Sequence, residues 1–182
     1  MPLSTPISRK LIHRRSVQCR GYQREDGLWD IEGHLVDTKT YAFTNRERGE
    51  IAPGEPVHEM WLRLTVDDEL LVRAVEAVPD AGPFSVCPAI TDRFQQLRGL
   101  RIGHGWRQRV YKLLGGVNGC THLVELLGPV ATTAFQTIYP IKSRRQESRP
   151  DAKKPLMLDS CHALASDGEI VKRHWPQFYT GT

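Results

Sequence analysis

The period of the hydrophobic residues changes halfway along the chain, and this change restricts the fold more than any other feature. In residues 29–35 and 60–66, apolar and polar side chains mostly alternate. A period of two is typical of strands that bury one face. From Pro88 onward, apolar residues recur at helical spacing. Strands first and helices afterwards predict an α+β fold, in which an antiparallel β-meander of three to four strands is followed by helices packed on one face.

Turn and breaker residues divide these two halves further. The polar residues 67–69 predict a tight connection between two antiparallel strands, and residues 13–23 are a candidate first strand. Pro88 suits the first turn of a helix that ends near residue 97. Gly115 ends a helix that begins near Trp106. Pro129 is expected to kink or divide the next helix, which carries apolar residues from 123 to 138.

Composition predicts a single globular domain over residues 1–182. The chain is 40% hydrophobic and 25% charged, which are ordinary values for a globular protein. It has no apolar run long enough to cross a bilayer and no secretory leader, so we expect a cytoplasmic protein. In a reducing compartment, four dispersed cysteines do not indicate a disulfide framework. They are packed in the core, bind a metal or act as reactive thiols.

The basic charge is concentrated near the N-terminus and in residues 142–155. The net charge is +4 and the pI about 9.0. Residues 142–155 are polar and contain Pro150 and Pro155, a pattern that predicts a flexible basic loop. No aromatic residues are interleaved there for stacking on bases, which argues against nucleic-acid binding.

Two Cys/His pairs are the strongest candidates for a functional site. Cys120 and His122 follow Gly119 at a predicted helix start, where the helix dipole stabilises a thiolate. Cys161 and His162 occupy a second predicted helix start. Together they offer a Cys2His2 set suited to zinc or iron, although neither spacing is that of an established zinc motif. Further candidates are Cys87, at a third strand-to-helix junction, and His58, Asp30, Asp37 and Asp159.

Each of the further candidates has its own reason. His58 begins a predicted strand and could serve as a ligand or a general base. Asp30 shares a strand face with Glu32 and His34, and Asp37 lies just beyond them, so this region could supply acid–base groups or hard ligands. Asp159 precedes the second Cys/His pair and could cap a short helix that ends near residue 165.

Four segments resemble a bacterial family of unknown function, domain-of-unknown-function family 2889. They are residues 22–33 (YQREDGLWDIEG), 119–126 (GCTHLVEL), 132–136 (TTAFQ) and 158–164 (LDSCHAL). This resemblance implies a bacterial, cytosolic, stand-alone domain, and it implies no activity, substrate or cofactor.

A more distant likeness is to the iron–sulfur scaffold proteins. A strand hairpin that leads into Cys87 at one helix start, with Cys120 at another, is similar to their arrangement. This chain has His58 where those proteins carry a further cysteine, and it adds Cys161 and His162. A mononuclear metal site therefore fits the ligand set better than a cluster does.

Three classes of function follow. The first is a metal-binding domain, with zinc or iron supporting chemistry on a small-molecule ligand. The second is a metal-free enzyme in which Cys120 is the nucleophile and His122 or His162 the base. The third is a non-enzymatic binding module with a basic surface.

Overall fold

The computed structural model describes residues 3–146 and 154–181. The chain divides into two compact units, Met1–Pro140 and Ile141–Thr182. The described residues form six strands, β1 to β6, all of which lie in the first unit. They span His13–Gln23, Trp29–Lys39, Phe43–Asn45, Gly49–Ile51, Pro56–Val66 and Val72–Ala81.

Four of these strands form an antiparallel sheet in the order β1-β2-β5-β6, while β3 and β4 pair as a small separate hairpin. The predicted antiparallel meander is therefore confirmed. Its alternating residues divide as expected, because Ile31 and Leu64 are direct partners across β2 and β5, and both are fully buried. The neighbouring outward positions, such as Glu32 and Arg63, form an ion pair at the surface.

Helical segments follow the sheet, as the change of period predicts. Cys87–Leu97 is a 3-10 helix, α1 spans Trp106–Leu114 and α2 spans Thr121–Gln146. Pro129 does not divide α2, since the helix contains both Pro129 and Pro140. Both prolines lie on the exposed side of the helix. The apolar side of the helix is buried, and this burial keeps the segment helical despite the prolines. Among the described residues, no helix has the length and apolar character needed to cross a membrane.

Two glycines allow α2 to lie close against the sheet. A Cβ at Gly33 in β2 would be 2.6 Å from Val130 Cγ2, and one at Gly21 in β1 would be 2.0 Å from Thr137 Oγ1. No real Cβ can make such contacts, so the absence of side chains at Gly21 and Gly33 sets the distance between helix and sheet. This packing fixes the position of the N-terminal turn of α2.

The second unit contains short segments. They are a 3-10 turn at His162–Leu164, the helix α3 at Glu169–His174 and a 3-10 turn at Pro176–Phe178. Asp159 does not cap a helix of its own, since its carboxylate accepts hydrogen bonds from the backbone and hydroxyl of Ser166. Of the predicted basic loop 142–155, residues 142–146 continue α2, and residues 147–153 lie outside the described residues.

Candidate metal centre

Asp37 is the central residue of the candidate site. It follows Trp29, Ile31 and Leu35 on the inward face of β2, and only 1% of its surface is exposed. A carboxylate that is this deeply buried requires compensating partners. Strand register supplies two of them directly, because Arg15 in β1 and His58 in β5 are the residues paired with Asp37 on its two sides.

His122 reaches the same point from the first turn of α2. Its Nε2 is 3.7 Å from Asp37 Oδ2, and the Nδ1 of His58 is 3.2 Å from the same oxygen. The two imidazole rings are stacked, with centroids 3.7 Å apart and planes inclined by 27°. We call Asp37, His58 and His122 the candidate metal centre, because one ligand atom from each lies within 4.8 Å of the others.

These separations suit a single ion. Two atoms bound tetrahedrally to one ion, each at about 2.1 Å, are about 3.4 Å apart. The distances of 3.2 and 3.7 Å from Asp37 Oδ2 lie on either side of this value. The side chains of His58 and His122 are 18% and 22% exposed, so the centre is accessible from solvent.

Arg15 holds the carboxylate from the opposite side. Its Nε donates to Asp37 Oδ1 and its Nη2 to Oδ2, both at 2.7 Å, and its Nη1 donates to Glu125 of α2. His13 Nε2 lies 3.2 Å from Asp37 Oδ1. A carboxylate offers about four lone-pair sites, so Oδ2 can accept a hydrogen bond from Arg15 and still bind an ion.

The electrostatic environment keeps these groups in the forms that bind metal. Burial on its own would raise the pKa of Asp37, but the hydrogen bonds and charge of Arg15, with smaller contributions from His58 and His13, lower it overall. Burial lowers the pKa of both His58 and His122, and the proximity of His122 lowers that of His58 further. At neutral pH the centre therefore contains an ionised carboxylate and two neutral imidazoles, which are the forms that bind metal.

Cys120 lies beside this centre. Its sulfur is 4.0 Å from Nδ1 of His122, the ring nitrogen opposite the one that faces Asp37. Among the described residues, the group of possible ligands includes neither Cys120 nor Cys87, which begins the 3-10 helix Cys87–Leu97. The structure thus brings together three of the residues predicted from the sequence: His58 and His122 lie beside the carboxylate of Asp37.

The remaining predicted residues have other surroundings. Asp30 lies on the opposite face of β2 from Asp37 and accepts a hydrogen bond from Thr65 at 2.7 Å. In the second unit, Cys161 and His162 are exposed. Hydrogen bonds from Ser166 and Lys154 lower the pKa of Asp159 to about 2. A joint Cys2His2 site that includes Cys161 and His162 stays a prediction.

Arg15, His13 and Glu125 were not predicted from the sequence as members of the site. Arg15 and His13 are two residues apart on β1 and therefore share a strand face, which is a pattern that could have drawn attention to them. Glu125 is three residues after His122, so both side chains project from the same side of α2. These two signals become informative only when the position of Asp37 is known.

The fold and this site define an α+β protein with a candidate mononuclear metal centre formed by its sheet and its longest helix. The chain belongs to DUF2889, a protein family of unknown function, whose family model matches residues 13–136. The matched region contains Arg15 and all three residues of the candidate metal centre. Neither the comparison with curated proteins nor that with solved structures gave a match, so the likeness to iron–sulfur scaffold proteins gains no support.

Proposed function

We propose that this protein binds one divalent transition-metal ion, zinc or iron(II), and uses it in chemistry on a small molecule. The ligands are Oδ2 of Asp37, Nδ1 of His58 and Nε2 of His122. One observation carries the proposal: three potential ligand atoms from β2, β5 and α2 lie within 4.8 Å of one another around an almost fully buried carboxylate.

The donor set favours these two metals. Two imidazoles and one carboxylate suit zinc and iron(II), whereas calcium and magnesium prefer sets made of oxygen ligands. Three protein ligands leave at least one coordination position for water or a substrate, as catalytic zinc and non-haem iron sites require. When bound, such an ion would polarise a substrate oxygen or lower the pKa of a bound water.

Surrounding residues support the proposed ligands. Arg15 and His13 hold Asp37 in one orientation through its two oxygens. On the far side of His122, the Nδ1–H group can donate a weak hydrogen bond to the Cys120 sulfur, which would leave Nε2 unprotonated for the ion. In this arrangement Cys120 orients a ligand and is not a ligand itself.

A second candidate function is metal-free thiol chemistry. Cys120, His122 and Asp37 form a continuous chain, with 4.0 Å between Sγ and Nδ1 and 3.7 Å between Nε2 and Oδ2. This order of thiol, imidazole and carboxylate is that of cysteine nucleophiles activated by an adjacent base. Both contacts would have to shorten before a proton could pass directly between the groups.

The cysteines and the surface charge bear on the location and partners of the protein. The four cysteines are unpaired, which supports a reducing, cytoplasmic environment. A basic surface that binds an acidic partner stays the third alternative, and such binding would weaken steeply with added salt.

The metal content of the purified protein tests the proposal. Protein prepared without chelators should carry about one zinc or iron per chain, and protein stripped of metal should bind Co²⁺ with an absorption spectrum typical of nitrogen and oxygen ligands. A variant with both His58→Ala and His122→Ala should bind neither metal. The matched control is His104→Ala, since His104 is exposed and outside the centre.

The outcomes separate the two candidates. Absence of metal and of Co²⁺ binding in the parent would contradict the metal-binding function. In that case, fast alkylation of Cys120 that slows in His122→Ala would favour thiol chemistry instead. Retention of metal by the variant that lacks both histidines would show that the ligands lie elsewhere.

A further inference from the structure

Three exposed side chains adjoin the candidate metal centre, and we call these residues, His13, Arg15 and Glu125, the rim. Their side chains are 45%, 36% and 49% exposed, whereas Asp37 is 1% exposed. His13 and Arg15 contact the proposed ligand Asp37 directly, and Glu125 contacts Arg15. The charges of the rim therefore act on any charged molecule that binds at the centre.

Arg15 contacts two acidic residues, one buried and one exposed. Its Nε and Nη2 groups are engaged with the buried Asp37, but its Nη1 is paired with the half-exposed Glu125. Because both side chains are exposed, this ion pair is weakened by solvent, and the contact with Glu125 can be exchanged at little cost. The contact with Asp37 is the more persistent one, since it satisfies a buried charge with two parallel hydrogen bonds.

The charge of the centre changes sign when a divalent ion binds. Without the ion, Arg15 contributes one positive charge, and Asp37 and Glu125 contribute two negative charges. A histidine that binds a metal ion is neutral, so His58 and His122 add no charge, and the ion leaves this set with one net positive charge. An anion that coordinates the ion would restore neutrality in a partly desolvated place, where opposite charges attract more strongly than in water.

We propose that the molecule acted on at this centre carries an oxyanion group, a carboxylate or a phosphate. One of its oxygens occupies the open coordination position of the ion, and another replaces Glu125 as the acceptor of the Arg15 Nη1 group. Arginine suits this position because its planar fork matches both kinds of oxyanion. Glu125 then acts as an internal competitor that occupies Arg15 when no such molecule is bound. This inference rests on the proposed metal-binding function.

Anion titrations of the Co²⁺-loaded protein test the inference. Acetate and inorganic phosphate are added separately, with acetamide as a neutral control, and the visible spectrum of the ion reports coordination. We expect acetate or phosphate to change the spectrum at concentrations at which acetamide does not. A response to acetate alone assigns the carboxylate class, and a response to phosphate alone assigns the phosphate class.

Two variants connect the response to the rim. Arg15→Gln should weaken the apparent affinity for the anion by about tenfold, because it removes a charge-assisted hydrogen bond. Glu125→Gln should strengthen it by about threefold, because it removes the exposed competitor. Glu125 is half-exposed at the helix surface, so this second variant remains informative if Arg15→Gln does not fold.

Failure of the inference can be told apart from failure of the metal site. If Co²⁺ binds but acetamide is as effective as acetate, or if Glu125→Gln binds the anion no more tightly than the parent, the oxyanion proposal is overturned and the metal site stands. If Co²⁺ does not bind to the parent protein, both proposals are overturned.

Discussion

Asp37 and His58 are direct partners across β2 and β5, and the Nδ1 of His58 lies 3.2 Å from Oδ2 of Asp37. Two of the three proposed ligands are therefore positioned by backbone register. A slip of one residue would turn one of these side chains to the opposite face of the sheet. The third ligand, His122, depends on the way α2 packs on the sheet.

Gly33→Ala should disturb that packing. The added methyl group would lie 2.6 Å from Cγ2 of Val130, so either α2 must move or the Val130 side chain must change its rotamer. We expect a loss of about 1–3 kcal/mol in the free energy of unfolding, measured with urea. Gly128→Ala in α2 is the matched control: its Cβ would have only an ordinary contact at 4.0 Å, and the higher helix propensity of alanine should slightly stabilise the protein. Equal effects of the two substitutions would contradict the close contact between helix and sheet.

Asp37→Asn should destabilise the metal-free protein. The substitution keeps the size of the side chain but removes the charge that Arg15, His13 and His58 surround. Since the Arg15 side chain is 36% exposed, solvent replaces part of the lost interaction, and we expect a loss of about 2 kcal/mol. Asp26→Asn removes a charge from an exposed ion pair with Arg24 and should change stability much less than Asp37→Asn does. Urea denaturation in the presence of EDTA compares the two variants. If Asp37→Asn lowers the free energy of unfolding no more than Asp26→Asn does, the stabilising contacts of Asp37 are contradicted.

Stability should fall as the solution becomes acidic. Burial lowers the pKa of His58 and His122 below 6.5 in the folded protein, so the unfolded chain binds more protons in the window from 6.5 down to the folded values. The free energy of unfolding therefore decreases as the pH falls through this window, and the lowered pKa of Asp37 causes a further loss below about 3.8.

Denaturation of metal-free protein at several pH values checks this dependence. The double variant with His58→Gln and His122→Gln should lose less stability than the parent between about pH 7.5 and pH 5.5. His104→Gln, at an exposed position, should keep the dependence of the parent. A parent protein that is equally stable at both pH values would contradict the lowered pKa of His58 and His122.

Much of the fold could be predicted from the sequence because periodicity is a local signal. Alternating residues in 29–35 and 60–66 identified β2 and β5, and helical spacing identified α1 and α2. The continuity of α2 through Pro129 could not be predicted in this way. It depends on the burial of the apolar face of α2, because the stabilisation from this burial outweighs the loss of one backbone hydrogen bond at Pro129.

The site itself was only partly predictable. Its three candidate ligands could be named because Asp and His are capable ligands in suggestive positions, but their meeting point depends on register and on helix packing. The pair formed by Arg15 and Glu125 joins residues 110 positions apart, and no local pattern encodes such a contact. The cysteines attracted attention through their chemistry, whereas the order of Cys120, His122 and Asp37 in space could only come from the structure.

Substitution of the cysteines distinguishes a supporting function of Cys120 from direct ligation. If Cys120 only orients His122, Cys120→Ser should retain metal with an affinity reduced by about 10- to 100-fold. Cys161→Ser should bind metal as the parent does, since all three proposed ligands lie in the first unit. Metal titration of the stripped proteins checks both variants. Complete loss of binding in both would favour the Cys2His2 set instead.

X-ray absorption spectroscopy of the zinc-loaded protein distinguishes nitrogen and oxygen ligands from sulfur, so it shows which kinds of side chain bind the ion. Coordination by Asp37, His58 and His122 predicts a first shell of nitrogen and oxygen at about 2.0–2.2 Å, with outer-shell scattering from two imidazole rings. It also predicts no sulfur neighbour. A sulfur shell at about 2.3 Å would contradict the account and would show that the cysteines bind the ion.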